Sequence, residues 1–150
     1  MKKMAVEIGS LRETERFANA LAKTLHGGEV IALSGPLGAG KTTLAQFLGK
    51  ALGVAERITS PTFTIMHVHP AGRNRRIRLF VHLDAYRLGG PRELLAIGSQ
   101  DYLGRKDTVA VVEWAEKVRK ALPSDARWID LLRGPDGTRL AITGIFPKKA

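Results

Sequence analysis

The sequence predicts an α/β protein: a mixed, mainly parallel sheet flanked by helices, with antiparallel hairpin additions. Three features of the chain predict it. Short apolar runs alternate with amphipathic helical stretches through the first half, as strand–helix–strand units require. Two of those runs, Val30-Ile-Ala-Leu33 and Val109-Ala-Val-Val112, are apolar without a break, which suits strands covered on both faces. Beyond Pro61 the extended segments come in pairs joined by turn-forming residues, the signature of hairpins. The 150 residues carry no internal repeat, low-complexity tract or Ser/Pro-rich linker, so one domain over 1–150 is expected.

In chain order, a strand over Met4–Ile8 leads to Ser10-Leu-Arg-Glu13, a capping box with Ser10 at the N-cap. The helix it opens repeats apolar residues at Leu11, Ala18, Leu21, Ala22 and Leu25 and stops at Gly27-Gly28. After the strand Val30–Leu33, a glycine-rich loop opens a second helix, about Lys41–Leu52, with Leu44, Leu48 and Ala51 on one face and Gly53 closing it. Thr64–His69 and Arg78–Asp84 pair as a hairpin about the turn segment Pro70-Ala-Gly-Arg-Asn-Arg75. Pro91 starts a short helix through Ile97. Thr108–Glu113 is another buried-type strand, followed by a short helix to about Ala121. Arg127–Arg133 and Arg139–Ile145 close the chain as a hairpin around Gly134-Pro-Asp-Gly137.

The loop between the second strand and second helix carries the chemistry. Gly35-Pro36-Leu37-Gly38-Ala39-Gly40-Lys41-Thr42 matches G-x-x-x-x-G-K-[ST] in full, behind a strand and ahead of an amphipathic helix. Such a segment makes the expected fold that of a P-loop NTPase. Its glycines let successive N–H groups turn inward toward phosphate oxygens, and the helix N-terminus behind them adds unpaired donors and a positive dipole end. With ATP as substrate, Lys41 is expected to reach the β- and γ-phosphates, and Thr42 to give its hydroxyl to magnesium.

Hydrolysis also needs one group to hold the metal and another to orient the attacking water. Asp84, after Leu79-Phe-Val-His-Leu83, and Glu113, after Val109–Val112, both end a strand, where ligands collect in open α/β sheets. The residues alone leave open which carboxylate does which. Ser60-Pro-Thr62-Phe-Thr64 stands where P-loop proteins carry a switch segment. It reads either as such a switch, with Thr62 sensing the γ-phosphate or its metal, or as a Pro-containing strand entry. Asp84-Ala-Tyr-Arg87 lacks the glycine of D-x-x-G, and Gly104-Arg-Lys-Asp107 is no guanine reader, so GTP is disfavoured. The alternative enzyme is a small-molecule kinase with the arginines of 73–78 as its lid; they fall early, in a hairpin, and no acceptor motif accompanies them. A nucleotide-gated binding module with negligible hydrolysis of its own is the alternative outside enzymes.

Twenty-four Lys+Arg against 14 Asp+Glu give a formal charge of +10, enough for long-range attraction to polyanions. Arg73, Arg75, Arg76 and Arg78 concentrate part of it, as a solvated hairpin tip or as a contact for nucleic acid or a partner. The absence of cysteine removes disulfides, thiolate nucleophiles and Cys-ligated zinc. No apolar run approaches the roughly 20 residues that cross a bilayer, and the N-terminus has no signal-peptide core. A cytoplasmic location without a membrane partner is expected. His67 and His69 share a strand face without a third metal ligand at sensible spacing, and His82 either packs or hydrogen-bonds to Asp84.

Taken together, GPLGAGKTTL (Gly35–Leu44), SPTFT (Ser60–Thr64), HLDAYRL (His82–Leu88), the block Arg92-Glu-Leu-Leu95 with Gly98 and Asp101-Tyr102, and Val112-Glu113-Trp114 resemble the TsaE (YjeE) family. These are the bacterial ATPases required for threonylcarbamoyladenosine synthesis on tRNA. The likeness runs from about Leu11 to Trp114; Pro36 stands where the family often has an aspartate, and Ala85 where a larger apolar residue is usual. The resemblance implies that Lys41, Thr42 and Thr43 bind phosphates and Mg2+, that Glu113 is a metal ligand, and that Asp84 acts on the metal or the attacking water. It implies that Ser60 and Thr62 belong to the switch, that Trp114 lies beside the nucleotide, and that Thr14 lies near the adenine. It further implies an ATPase weak alone, which docks on a threonylcarbamoyl-transferase subunit and its paralogue, of the TsaD and TsaB type, and resets them by Mg-ATP hydrolysis. The basic surface would then serve those partners or the tRNA.

Overall fold

A computed structural model describes residues 3–61 and 64–143. Strands β1 (Met4–Glu7), β2 (Val30–Ser34), β3 (Met66–Asn74), β4 (Ile77–Asp84), β5 (Thr108–Glu113), β6 (Arg127–Arg133) and β7 (Arg139–Thr143) form one sheet in the order β1-β7-β6-β2-β5-β4-β3. The central pairings β6–β2, β2–β5 and β5–β4 are parallel, and β1–β7, β7–β6 and β4–β3 are antiparallel. This is the expected mixed sheet, with a parallel centre and hairpins added at its edges.

The unbroken apolar runs have a simple cause. Alternate strand residues point to opposite faces, and both faces are covered. Ile31, Leu33, Val109 and Val111 pack with Phe80, Ile129 and Leu131 beneath helices α1 (Leu11–Ala22) and α2 (Lys41–Ala51). Val30, Ala32, Ala110 and Val112 pack with Val81 and Leu83 under α3 (Pro91–Ala96) and two 3-10 segments, Ser99–Asp101 and Ala115–Ala121. The capping box is formed: the Glu13 N–H donates to Ser10 Oγ at 3.1 Å, and the Ser10 N–H to Glu13 Oε1 at 3.2 Å.

The structure corrects two of these readings and leaves a third outside its reach. Strand β3 continues through Pro70-Ala-Gly-Arg-Asn74, the segment expected to turn, and the hairpin closes at Arg75-Arg76. An edge strand tolerates Pro70, and the register shift between Pro70 and Asn74 absorbs the irregularity as a bulge. The segment after β5 is a 3-10 helix broken at Val118 (φ −127°) rather than an α-helix. The last strand is described as Arg139–Thr143, and its expected end at Ile145 lies outside the described residues.

Because β2, β4 and β5 are parallel and in register, Leu33 lies beside Glu113 and Glu113 beside Asp84. Their carboxyl ends deliver the P-loop and both candidate carboxylates to one edge of the molecule.

Candidate functional site

Residues 35–40 carry the chain from β2 into α2. Gly35 has φ +140°, and a Cβ there would meet the Leu131 carbonyl oxygen at 2.4 Å, so only glycine lets the loop lie against β6. Gly40, the N-cap of α2, is left-handed at φ +102° and supplies no side chain to the helix's first donors. Lys41 folds back along the loop, donating from Nζ to the carbonyls of Gly35 (2.6 Å) and Pro36 (2.9 Å), and its ammonium stands 4.0 Å from the centre of the Trp114 ring. Burial pushes this ammonium below a lysine's ordinary pKa, while the charges of Glu113, Glu116 and Asp84 push it back up.

Glu113 is the junction of the site. Its side chain is buried, with Oε1 accepting from Thr42 Oγ1 at 2.7 Å and Oε2 bonded to His82 Nε2 at 2.6 Å. His82 is wholly buried, and its Nδ1 has no partner among the described residues. The neutral ring with its proton on Nε2 avoids a buried orphan N–H, so His82 donates and Glu113 accepts. Beside the two readings left open for His82, packing or a bond to Asp84, the structure shows a third, a bond to Glu113. Strand register, not sequence proximity, decides it: His82 lies beside Val111, two residues before Glu113, which puts the two side chains diagonally on one face.

Asp84 is also buried; its Oδ1 accepts the Tyr86 N–H at 2.9 Å, and its own N–H donates to the Ile65 carbonyl at 2.8 Å. Ile65 (φ 68°) and Trp114 (φ 56°) are the non-glycine residues with positive φ among those described, and both adjoin the carboxylates. Such a conformation costs a bulky or β-branched residue on the order of 1–3 kcal/mol. At Trp114 it turns the indole back over the loop, where it meets Tyr86 at 5.0 Å between ring centres. Lys117 closes this side, donating to the Tyr86 carbonyl at 2.6 Å.

These groups surround a cavity of about 530 Å³, large enough for a nucleotide. Of the residues predicted from sequence, Leu37, Gly38, Gly40, Lys41, Thr42, Thr43, Asp84, Glu113 and Trp114 line it. Gly35, Pro36 and Ala39 form the body of the loop behind, with Ala39 in the core. Thr14 is not on the cavity wall: it is buried, and its hydroxyl donates to the carbonyls of Ile8 (3.2 Å) and Ser10 (3.0 Å), holding the start of α1. Ser60 is exposed, and Thr62 lies outside the described residues. Sequence reasoning missed Arg139, which reaches the cavity from β7, and Glu116, whose Oε2 accepts the Gly35 N–H at 3.3 Å. Neither carries a local signal, because both depend on how distant segments pack.

The donor set fits magnesium. A threonine hydroxyl and a carboxylate 2.7 Å apart are hard oxygen donors. Mg2+ bound with nucleotide phosphates uses one or two carboxylates and otherwise water, not a protein cage. No group of three or more His, Cys, Asp or Glu suited to holding a metal occurs among the described residues. His67 and His69 are engaged elsewhere, with Thr64 Oγ1 and Glu56 respectively.

The model of the family described as "Threonylcarbamoyl adenosine biosynthesis protein TsaE" matches residues 8–140. A Streptomyces coelicolor protein named "tRNA threonylcarbamoyladenosine biosynthesis protein TsaE" is 46% identical over 106 residues, 70% of this chain and 69% of its own. A Treponema pallidum protein of the same name is 37% identical over 130 residues, 87% of this chain and 92% of its own. The crystal structure of Bacillus subtilis YdiB shares the fold with a TM-score of 0.72 at 29% identity, over 95% of this chain and 84% of that one. With the matched span taking in the phosphate loop, both strand-end carboxylates and the tryptophan folded over them, this chain belongs to the TsaE family of threonylcarbamoyl adenosine biosynthesis proteins.

Proposed function

We propose that this protein is a Mg2+-dependent ATPase that serves tRNA N6-threonylcarbamoyladenosine formation by binding a threonylcarbamoyl-transferase pair of the TsaD and TsaB type and resetting it through hydrolysis. The observation that carries the reading is the chain of contacts Thr42–Glu113–His82 beside the P-loop. A hydroxyl and a carboxylate in contact at the first turn of α2 suit the metal of a Mg-nucleotide, and little else explains burying a carboxylate there. The names carried by the relatives support the pathway.

In this reading the N–H groups of residues 38–43 and the N-terminus of α2 bind the β- and γ-phosphates. Lys41 exchanges the carbonyls of Gly35 and Pro36 for phosphate oxygens, and Trp114 covers them from the side. Thr42 and Glu113 hold Mg2+, which when bound neutralises charge on the phosphates. Asp84 orients the attacking water, and the segment from Ser60 through Thr62 reports the γ-phosphate to the partner. The test is Mg2+-dependent ATP turnover by the purified chain, alone and with the transferase pair, using Lys41→Ala as control. A low rate that rises with the pair and disappears in the variant is expected. A rate indifferent to the pair would remove the accessory role and turn attention to phosphoryl acceptors.

A further inference from the structure

Parallel strands give the sheet two unlike ends. β2, β4 and β5 finish at the phosphate loop; they begin at Val30, Ile77 and Thr108, on the opposite edge. Four segments converge at that second edge: the residues after α1, the end of α2, the β3–β4 turn, and the run into β5. Backbone contacts join them. The Gly72 N–H donates to Gly53 O at 3.2 Å, the Arg73 N–H to Leu52 O at 3.3 Å, and the Arg78 N–H to Asp107 O at 2.7 Å. Gly27 lies so near the Lys106 carbonyl that a Cβ would come within 2.1 Å of its oxygen.

The charge gathered there is one-sided. Lys23, Arg73, Arg75, Arg76, Arg78 and Lys106 are all exposed, and none forms an ion pair among the described residues. The nearby acids are already engaged. Glu29 accepts the N–H groups of His26 (2.9 Å) and Gly27 (2.8 Å) and stands 3.8 Å from Arg127, while Asp107 pairs with Arg105 at 2.7 Å. The C-termini of α1 and α2 supply about half a negative charge each, roughly one against these six cations. Helix stabilisation therefore accounts for only a small part of the patch.

Its shape excludes a small anion. Two shallow, open depressions of about 580 and 670 Å³ flank the Arg75-Arg76 tip, and the cations on their walls are exposed, so nothing fixes a single phosphate. None of the large exposed apolar side chains of the described residues belongs to these segments, so the anchors of a protein interface are missing. A ridge of guanidiniums without apolar anchors suits a chain of regularly spaced phosphates, which forked arginine donors match. We propose that this edge of the sheet, opposite the nucleotide site, binds RNA through its phosphate backbone, with Arg73, Arg75, Arg76 and Arg78 as the principal contacts. The proposal goes beyond the ATPase reading and does not rest on it.

The test is fluorescence anisotropy of a labelled, unmodified tRNA transcript titrated with the full chain across a series of KCl concentrations. With about four phosphate contacts, log K should fall against log salt with a slope of about −3. The Arg75→Glu/Arg76→Glu variant should bind roughly tenfold or more weakly with a slope shallower by about 1.5, at unchanged thermal midpoint and ATP affinity. Lys41→Ala should bind RNA like the wild type, so loss of the nucleotide reading and loss of this one are told apart. Equal affinity and slope in the double variant, or no salt-dependent RNA binding by the wild type, overturns the proposal. Arginine-dependent binding of polyglutamate without binding of RNA overturns it in favour of an acidic protein.

Discussion

Replacing Glu113 by glutamine removes a charge and keeps the shape, and the structure allows its consequences to be worked out. The carboxylate accepts from Thr42 Oγ1 at 2.7 Å and from His82 Nε2 at 2.6 Å. A glutamine can retain both contacts: its carbonyl accepts from His82, and its amide donates to a Thr42 hydroxyl that has rotated to accept. What disappears is charge assistance. Hydrogen bonds to ions contribute about 1.5–3 kcal/mol against about 0.5–1.5 for neutral ones, so two bonds lose about 2 kcal/mol. The desolvation cost of a buried carboxylate, several kcal/mol before compensation, disappears with it. Glu113→Gln should therefore stay within about 1 kcal/mol of wild type, a shift of roughly 2–4 °C in Tm for a chain of this size. Glu113→Ala gains the same relief from desolvation but strands the buried His82 N–H at about 1–3 kcal/mol, while Thr42, on the cavity wall, can turn to water; it should therefore melt below Glu113→Gln by about 2 kcal/mol, roughly 4–8 °C. Both variants should lose Mg2+-dependent turnover on the order of a hundredfold. Circular-dichroism melts and phosphate release at several Mg2+ concentrations decide the matter. Wild-type turnover by Glu113→Gln would refute the metal role, and coincident melts of the two variants would refute the hydrogen-bond argument.

Lys41→Ala should weaken ATP binding roughly ten- to a hundredfold, the value of one or two charge-assisted bonds; titration calorimetry against unchanged affinity is the check. His82→Gln preserves a donor toward Glu113 and should retain most turnover, whereas His82→Leu removes it and should raise the Mg2+ concentration for half-maximal turnover severalfold; equal Mg2+ requirements in the two would reduce His82 to packing. Gly49→Ala sets two effects against each other. Helix propensity favours alanine by about 1 kcal/mol, but the new Cβ would meet Ile58 Cδ1 at 2.2 Å and Phe80 Cε2 at 2.9 Å. Ile58 is buried in the core and the Phe80 ring is wholly buried, so overpacking of about 1–3 kcal/mol prevails and urea denaturation should show net destabilisation.

What could be read from the sequence was whatever is specified locally. The phosphate loop is one contiguous motif, the capping box spans Ser10 to Glu13, and β2 and β5 announce themselves by apolar runs. Asp84 and Glu113 were legible as strand-end carboxylates because each follows its own strand. Pairing His82 with Glu113 rather than Asp84 required the β4–β5 register, which no local pattern encodes. The hairpin misled for a related reason: Pro70 and Gly72 are turn residues in isolation, and only the edge position of β3 lets the strand run through them. For Thr14, placed near the adenine by the family resemblance alone, the structure shows a hydroxyl held by the carbonyls of Ile8 and Ser10 at the start of α1. Arg139 enters the cavity by way of β7, a strand that pairs with β1 and β6 at the other side of the sheet.

Helix α2 starts at the lysine of the phosphate loop and ends against the arginine-rich turn. Its 11 residues span about 16 Å, twice the roughly 8 Å over which physiological salt cuts the potential of an exposed charge to about a third. The charge of a nucleotide is therefore muffled along the outside of the molecule before it reaches Arg73. A close-packed helix, by contrast, transmits displacement as a rod does, and this one has no slack at its far joint. At Gly53 even a methyl group would run into the Arg73 nitrogen at 2.4 Å, so backbone bears directly on backbone. Under the ATPase reading, any mechanical link between Lys41 and the arginine turn would run along α2, whose far end meets Arg73 with only a hydrogen atom at position 53 between the two backbones.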